Sequence, residues 1–222
     1  MNQQQFRGQI RQCFSLLRHL GLLQRPVNEP NYEGVAAVRR ASYREQWTHY
    51  LSNSMYDFLL TDWSLIQMEL LTEDNQDKYR YVFLDCPYQS TQTFEQFSIQ
   101  SKIRIKSELE EAYFSFLEEE CEEKSHVRQI RYDYTPTQYV PGVHPASHVH
   151  LGCANEYRIS TRKKLRPLAF AMFVARHIYP QNWQLFLNER HRAQYGPHVR
   201  NRLTDVADGF FGEDDQMELH LY

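Results

Sequence analysis

Three consecutive stretches between residues 128 and 161 alternate apolar and polar side chains, and this alternation restricts the fold more than any other feature of the chain. The stretches read RQIRYDY, SHVHLGC and EYRIST. A β-strand presents successive side chains to opposite faces, so alternation along a whole run is typical of a strand with one buried face. We therefore predict three neighbouring strands whose apolar face packs against helices.

The rest of the chain predicts a single α+β domain. Only 8 glycines and 9 prolines occur in 222 residues, and no linker-like stretch interrupts them. Strand runs that come in groups between helices favour a largely antiparallel sheet, here of about five to six strands, with helices packed on one face. The expected segments are N-terminal helices in 1–55, a first strand group in 56–86, a helical segment with an acidic face in 93–124, the second strand group in 126–161, C-terminal helices in 166–195 and an acidic tail in 203–222.

Two local signals predict where helices begin. Ser42 is followed three residues later by Glu45, the spacing of a capping box, in which each residue caps the backbone of the other. Pro167 opens an almost wholly apolar stretch, PLAFAMFVARHIY, and proline is well tolerated in the first turn of a helix. We therefore expect one helix to begin after Ser42 and a buried helix to begin at Pro167.

The polar face of the second strand group is the candidate functional site. If the apolar side chains of all three strands face the helices, five polar side chains converge on the opposite face. They are Arg131, Asp133, His148, His150 and Arg158. A third histidine, His144, precedes a proline, so we expect it in a loop that reaches the site only if it folds back.

One interpretation of this face is metal-independent cleavage of a phosphodiester. His148 and His150 would act as acid and base, and Asp133 would hold a histidine in one tautomer. Arginines bind phosphate oxygens bidentately, which gives Arg131 and Arg158 the role of a clamp. RNA is the favoured substrate because its 2′-hydroxyl supplies the nucleophile.

Two other interpretations stay open at the level of the sequence. In one, zinc or another divalent ion binds to His144, His148 and His150, with Asp133 as a further ligand. In the other, the histidines pair with carboxylates, backbone or tyrosines, and the polar face binds a partner protein.

The charge distribution favours an anionic partner. Residues 125–202 hold 12 Lys and Arg against 3 Asp and Glu, whereas the last twenty residues hold six acids and no Lys or Arg. A basic block beside a histidine cluster suits nucleic acid or a phosphate ester. The alternative is that the acidic helix and tail fold over this block and neutralise it. The basic loop TRKKLRP is either a phosphate contact or a solvated loop, and its candidate substrate-binding residues are Arg162, Lys163, Lys164 and Arg166.

Several classes of protein are disfavoured. No run approaches the roughly 18 apolar residues of a membrane span, and the N-terminal residues lack the pattern of a signal peptide, so we expect a cytoplasmic protein. The four cysteines are far apart and form no C-x-x-C pair, which indicates reduced thiols. No P-loop, dinucleotide-binding or kinase motif is present, and no cofactor is expected in the first interpretation.

The stretches IRYDYTP, HPASHVHLG and RPLAFAMFVARHIYP resemble a bacterial family of unassigned function. Its members share an R-x-D-x-x-P segment, an H-P-x-S-H-x-H-x-G motif and a downstream R-P-L helix. A more distant resemblance is to TumE-type toxins of toxin–antitoxin modules, which similarly follow an R-Y-D segment with a P-x-x-H-x-H cluster. On that resemblance Arg131, Asp133, His148 and His150 are the positions that carry over.

The toxin resemblance implies growth arrest or phage defence through RNA cleavage. This chain is about twice the size expected of such a toxin, which suits a component of a larger assembly. We therefore expect a bacterial defence or toxin-type endoribonuclease that acts at His148 and His150, with Asp133 and Arg131, and binds substrate through Arg158, His144 and the basic loop. The alternative is a non-catalytic, partner-binding subunit of a defence or toxin–antitoxin complex.

Overall fold

The computed structural model of the protein describes residues 1–35, 37–38, 40–73, 76–153, 157–188, 199, 202–217 and 220–221. The helices in these residues are α1 (Gln3–His19), α2 (Tyr43–Ser52), α3 (Phe94–Ser101), α4 (Lys106–Glu120), α5 (Pro167–Ile178), α6 (Pro180–Asn188) and α7 (Glu213–Met217). The strands are β1 (Leu23–Pro26), β2 (Phe58–Leu60), β3 (Leu65–Glu73), β4 (Gln76–Leu84), β5 (Tyr88–Gln89), β6 (Glu122–Glu123), β7 (Gln129–Tyr134), β8 (Ser147–Leu151), β9 (Tyr157–Thr161), β10 (Lys163–Lys164), β11 (Thr204–Asp205) and β12 (His220–Leu221).

The main sheet has eight strands in the order β1-β2-β3-β4-β7-β8-β9-β12. All neighbours pair antiparallel except β12, which runs parallel to β9. The predicted α+β class and largely antiparallel sheet are therefore confirmed. The two strands beyond the six predicted runs, β1 and β12, have only four and two residues. Runs this short show no alternation that a sequence pattern can detect.

Helices cover one face of the sheet along most of its width. Side chains of α1, α5 and α6 pack with alternate residues of β2, β3, β4, β7 and β8 in the larger core cluster, which includes Leu16, Tyr81, Tyr132, Val149 and Phe170. Each of these side chains is at most 1% exposed. The apolar faces of β7 and β8 thus pack against helices, as their alternation predicts, whereas Tyr157 of β9 is 67% exposed and lies outside this cluster.

Helices also cover the other face of the sheet over the first strand group. There α2 and α4 pack on Leu59, Leu65, Val82 and Leu84 in a second core cluster. The expectation of helices on a single face therefore applies to the second strand group alone. The physical reason lies in β2 and β4, where consecutive residues are apolar, as in a strand that is buried on both faces.

Helix boundaries follow the local signals in the sequence. Ser42 caps α2 in a complete capping box with Glu45, and Pro167 occupies the first turn of α5. The predicted helical segment 93–124 is divided into α3 and α4, because Lys102 adopts a left-handed conformation with φ of 58° that ends α3. Residues 189–195 of the predicted C-terminal helices lie outside the described residues.

The cysteines and the helices bear on two further expectations. All four cysteines are free thiols, in agreement with the sequence. Within the described part of the chain, no helix is both long enough and apolar enough to cross a membrane.

Candidate histidine and aspartate site

Strand register brings the predicted polar side chains together on one face of the sheet. Strands β7 and β8 are antiparallel neighbours, and Asp133 lies opposite His148 while Arg131 lies opposite His150. Strand β9 continues the row, with Arg158 opposite His150. Residues directly opposite on neighbouring strands point to the same face. The five side chains selected by alternation are therefore neighbours across three strands.

Three ligand-type atoms meet at the centre of this face. The two histidine Nε2 atoms of His148 and His150 are 2.9 Å apart. Asp133 Oδ2 lies 3.4 Å from His150 Nε2 and 3.9 Å from His148 Nε2. Arg131 Nε donates a hydrogen bond of 2.7 Å to the same carboxylate oxygen. We refer to Asp133, His148 and His150 as the polar cluster.

The backbone determines the tautomer of His148. Its Nδ1 lies 2.8 Å from the carbonyl oxygen of Pro145, and a carbonyl can only accept a hydrogen bond. Nδ1 therefore carries the proton, and in the neutral ring the lone pair of Nε2 points toward His150 and Asp133. His150 Nδ1 is buried and has no hydrogen-bond partner among the residues that the structure describes.

The surroundings of the polar cluster shift two pKa values downward. Burial, and then the neighbouring His150, lower the pKa of His148 to about 4. Burial alone would raise the pKa of Asp133, but the hydrogen bond from His150 and the charge of Arg131 outweigh it and lower this pKa to about 2. At neutral pH the cluster therefore holds a neutral His148 imidazole beside an ionised carboxylate.

The loop between β7 and β8 folds back onto the cluster. His144 packs edge-on against the His148 ring, with 5.1 Å between ring centroids. His144 therefore reaches the site, as we expect of a loop that folds back. Both histidines of the cluster are almost fully buried, with 2% of His148 and 1% of His150 exposed, whereas Asp133 is partly accessible. His144 nevertheless lies outside the group whose ligand atoms are within 4.8 Å of one another, because that group consists of Asp133, His148 and His150. Of the four ligands in the metal interpretation, Asp133, His148 and His150 therefore belong to this group, and a role for His144 as a further ligand stays a prediction.

The acidic tail holds this loop in position. Tyr139 OH donates to the buried Asp215 carboxylate at 2.5 Å, and Asp215 also accepts a hydrogen bond of 2.9 Å from Gly212 N. Ala146, at the end of the loop, packs with Val206 and Phe211 of the tail in a small core cluster. The C-terminal segment thus supports the loop that contacts His148.

The basic loop after β9 contacts the acidic tail and the helix-covered face of the sheet. Lys163 Nζ lies 2.7 Å from Asp205, and Arg162 lies 3.4 Å from Asp208, so the acidic tail neutralises both side chains. Lys164 packs over the ring of Tyr134, which belongs to the helix-covered face of the sheet. Asp133 points to the opposite face. Arg166 is the N-cap residue of α5, the helix that packs on the face of the sheet opposite the polar cluster. A role for Arg162, Lys163, Lys164 and Arg166 in substrate binding stays a prediction.

The structure adds one arginine that strand parity alone did not select. Arg80 of β4 lies opposite Asp133, on the same face as the polar cluster, and contacts Glu69 at 3.5 Å. In KYRYVFL, Arg80 alternates with the apolar Tyr79 and Tyr81, so its side chain points to the other face of the strand. This signal was present in the sequence, but only the pairing of β4 with β7 shows which residues are its neighbours.

Comparison with known proteins identifies one family. The model of a family described as an uncharacterized conserved protein (DUF2290) matches residues 12–221. No curated protein and no solved structure matches the chain.

Proposed function

We propose that this chain, which belongs to the DUF2290 family, cleaves phosphodiester bonds in RNA at the polar cluster. One observation supports the proposal above all: two buried imidazoles and a carboxylate converge on one face of the sheet. On this face Arg131 and Arg158 lie on either side of His150 in the strand register. Buried groups with shifted pKa values beside a specific charge partner are typical of functional sites.

The reaction begins when the 2′-hydroxyl of one nucleotide loses its proton. The resulting oxygen attacks the adjacent phosphorus, and the bond from phosphorus to the 5′-oxygen of the next nucleotide breaks. That oxygen takes up a proton, which leaves a 2′,3′-cyclic phosphate and a free 5′-hydroxyl. The polar cluster accepts the first proton and returns the second, as general acid–base catalysis requires. Arginine side chains offset the negative charge that builds up on the phosphate oxygens.

The positions of the arginines agree with a phosphate substrate. Arg158 is exposed on β9, directly beside His150 in the strand register. Arg131 is held against Asp133, so its remaining N–H groups can point to a ligand without loss of orientation. The proposal extends to a bacterial defence or toxin-type role in the cytoplasm. The resemblance to TumE-type toxins stays a prediction.

A second candidate function is that of a partner-binding subunit in a defence or toxin–antitoxin complex. The observation that favours it lies at the tip of the β7–β8 loop, where Val140 and Val143 are 48% and 73% exposed. Exposed apolar side chains grouped near a site are common at protein–protein contacts. This candidate predicts stable association with a second protein and no cleavage of RNA.

Nuclease activity of the purified full chain tests the proposal. Labelled RNA and DNA of the same sequence are incubated with the protein, both in the presence of divalent ions and with a chelator. We expect cleavage of RNA that His150→Gln lowers about 100-fold or more, the size typical of an acid–base group.

His177→Gln is the matched control, because His177 is exposed on α5 away from the cluster, and it should leave the rate unchanged. Thermal unfolding of each variant shows whether it is folded. Failure of the wild-type protein to cleave RNA under any of these conditions would contradict the proposal, as would equal rates for wild type and His150→Gln.

A further inference from the structure

We infer that Asp133, His148 and His150 bind a divalent transition-metal ion of the zinc class. The binding of the ion stands on geometry alone, and only its role in catalysis rests on the proposed function. The inference also decides between the two chemical interpretations that the sequence leaves open.

The distances within the polar cluster match the coordination sphere of such an ion. The three donor atoms form a triangle with edges of 2.9, 3.4 and 3.9 Å. Points at or just above the plane of this triangle therefore lie about 2.0 to 2.2 Å from all three atoms, which is the length of bonds from zinc to histidine nitrogen or carboxylate oxygen. An ion above the plane keeps a fourth position open on its outer side.

The same distances disfavour the two histidines as a direct acid–base pair. An acid and a base that act on one phosphate must lie on opposite sides of the reacting atoms, each within hydrogen-bond reach of its own oxygen. The contact of 2.9 Å between the two Nε2 atoms leaves no room for a hydroxyl or phosphate between them. A shared ion explains why both nitrogens point to one place.

The donor set is one that zinc uses in enzymes. Two imidazole nitrogens and a carboxylate oxygen are the ligands of several catalytic zinc sites, which leave the fourth position to water or substrate. Structural zinc sites fill all four positions with protein ligands. Among the residues that the structure describes, the set has three members, the number of protein ligands in a catalytic site.

Neighbouring groups orient two of the three ligands. The hydrogen bond between His148 Nδ1 and the Pro145 carbonyl oxygen directs Nε2 into the cluster. Arg131 Nε holds the same Asp133 oxygen that faces the two histidines. Metal-binding histidines commonly donate their second ring N–H to a carbonyl or carboxylate, and ligating carboxylates are themselves hydrogen-bonded.

In the proposed reaction the ion changes which group accepts the proton. Water in the fourth position loses a proton near neutral pH when it binds to zinc, because the ion stabilises hydroxide. The bound hydroxide takes the proton of the 2′-hydroxyl and becomes water. This water then gives a proton to the departing 5′-oxygen, so that protons and charge balance over the cycle.

Titration of the metal-free full chain with zinc ion tests the inference by calorimetry. We expect one ion per chain, and His150→Ala and Asp133→Asn should each weaken zinc affinity by about 100-fold or more, beyond the loss typical of a neighbouring group that only orients a ligand. Cobalt is the spectroscopic probe, since its absorption in a tetrahedral nitrogen and oxygen site should appear in the wild type and disappear in both variants. Circular dichroism shows that each variant is folded.

Two controls make the test specific. His177→Ala removes an exposed histidine and should leave zinc affinity unchanged. His144→Ala should also retain binding within a few-fold, because His144 contacts the ring of His148 but lies outside the three-atom group. A loss of binding in His144→Ala as large as that in His150→Ala would overturn the proposed ligand set.

The two proposals can fail separately. If zinc binds as expected and RNA is never cleaved, the function is wrong and the metal site stands. If RNA is cleaved with a chelator present and no ion binds, the metal site is wrong and the function stands. Equal zinc affinity in the wild type, His150→Ala and Asp133→Asn would also overturn the metal site.

Discussion

Asp57 shows how a single buried carboxyl group responds to the core around it. Its side chain accepts a hydrogen bond from Tyr32 OH and another, of 2.6 Å, from Met68 N. The residue is only 5% exposed. Burial raises the pKa of Asp57 to about 7, even though these hydrogen bonds act in the opposite direction. The folded protein therefore binds a proton at Asp57 that the unfolded chain releases near pH 4.

This shift predicts a pH dependence of stability that Asp57→Asn should remove. The contribution of Asp57 is fully present below its unfolded pKa and is lost as pH rises through about 7. Between pH 4 and pH 8, the free energy of unfolding of the wild type should fall relative to that of Asp57→Asn, by an amount on the order of 2–4 kcal/mol. Urea unfolding of both proteins at several pH values measures this difference. As a control, the free energy of unfolding of Asp208→Asn, at an exposed carboxylate, should change with pH as that of the wild type does. If the free energy of unfolding of Asp57→Asn fell with pH as steeply as that of the wild type, the assignment to Asp57 would be contradicted.

At the scale of one element, the start of helix α2 is determined by a capping box of neighbouring residues. Glu45 N donates to Ser42 Oγ at 3.3 Å, and Ser42 N donates to the Glu45 carboxylate at 2.8 Å. The helix then buries Trp47 and Tyr50 against the sheet. All the groups of the capping box lie within four consecutive residues, so the sequence alone was enough to predict it.

Removal of this cap should destabilise the protein. We expect Ser42→Ala to lower the free energy of unfolding by about 1 kcal/mol, because an N–H of the first turn loses its acceptor. Ser52→Ala is the comparison, since Ser52 is exposed at the last residue of the same helix and surface changes there cost less than about 0.5 kcal/mol. Chemical unfolding midpoints measure both. Equal effects of the two substitutions would show that the cap contributes nothing of its own.

At the scale of the whole molecule, the C-terminal segment connects distant parts of the chain. Its Asp205 pairs with Lys163 beside β9, and its Asp215 holds Tyr139 of the loop that contacts His148. The acidic tail therefore neutralises part of the basic block, as one of the two interpretations of the charge distribution predicts. The tail also supports the loop whose His144 ring packs against His148.

Asp215→Ala should loosen this loop without unfolding the protein. The substitution leaves Tyr139 OH and Gly212 N without their acceptor, and because these groups are only partly buried the cost should lie near the lower end of about 1–3 kcal/mol. Hydrogen–deuterium exchange should rise in peptides that cover residues 135–146 and change little in β3 and β4. Glu213→Gln, at an exposed position of α7, serves as the control. Unchanged exchange of the loop in Asp215→Ala would mean that the tail does not support it.

What the sequence determined by itself was local in character. The alternation in RQIRYDY and SHVHLGC predicted the strands and placed Asp133, His148 and His150 on one face, because side-chain direction in a strand depends only on position along it. The α+β class followed from the grouping of such runs. Ser42 and Pro167 predicted helix starts for the same reason, since a cap involves only neighbouring residues.

Only the tertiary structure decided what these side chains meet. The 2.9 Å contact of His148 with His150, and the place of Asp133 beside them, depend on strand register and on rotamers fixed by packing. The contact of His148 with His144 depends on the loop that carries His144, and the tail holds that loop through the contact of Tyr139 with Asp215, 76 residues further along the chain. Contacts between such distant residues leave no periodic trace in the sequence, because they arise from the packing of whole elements against one another.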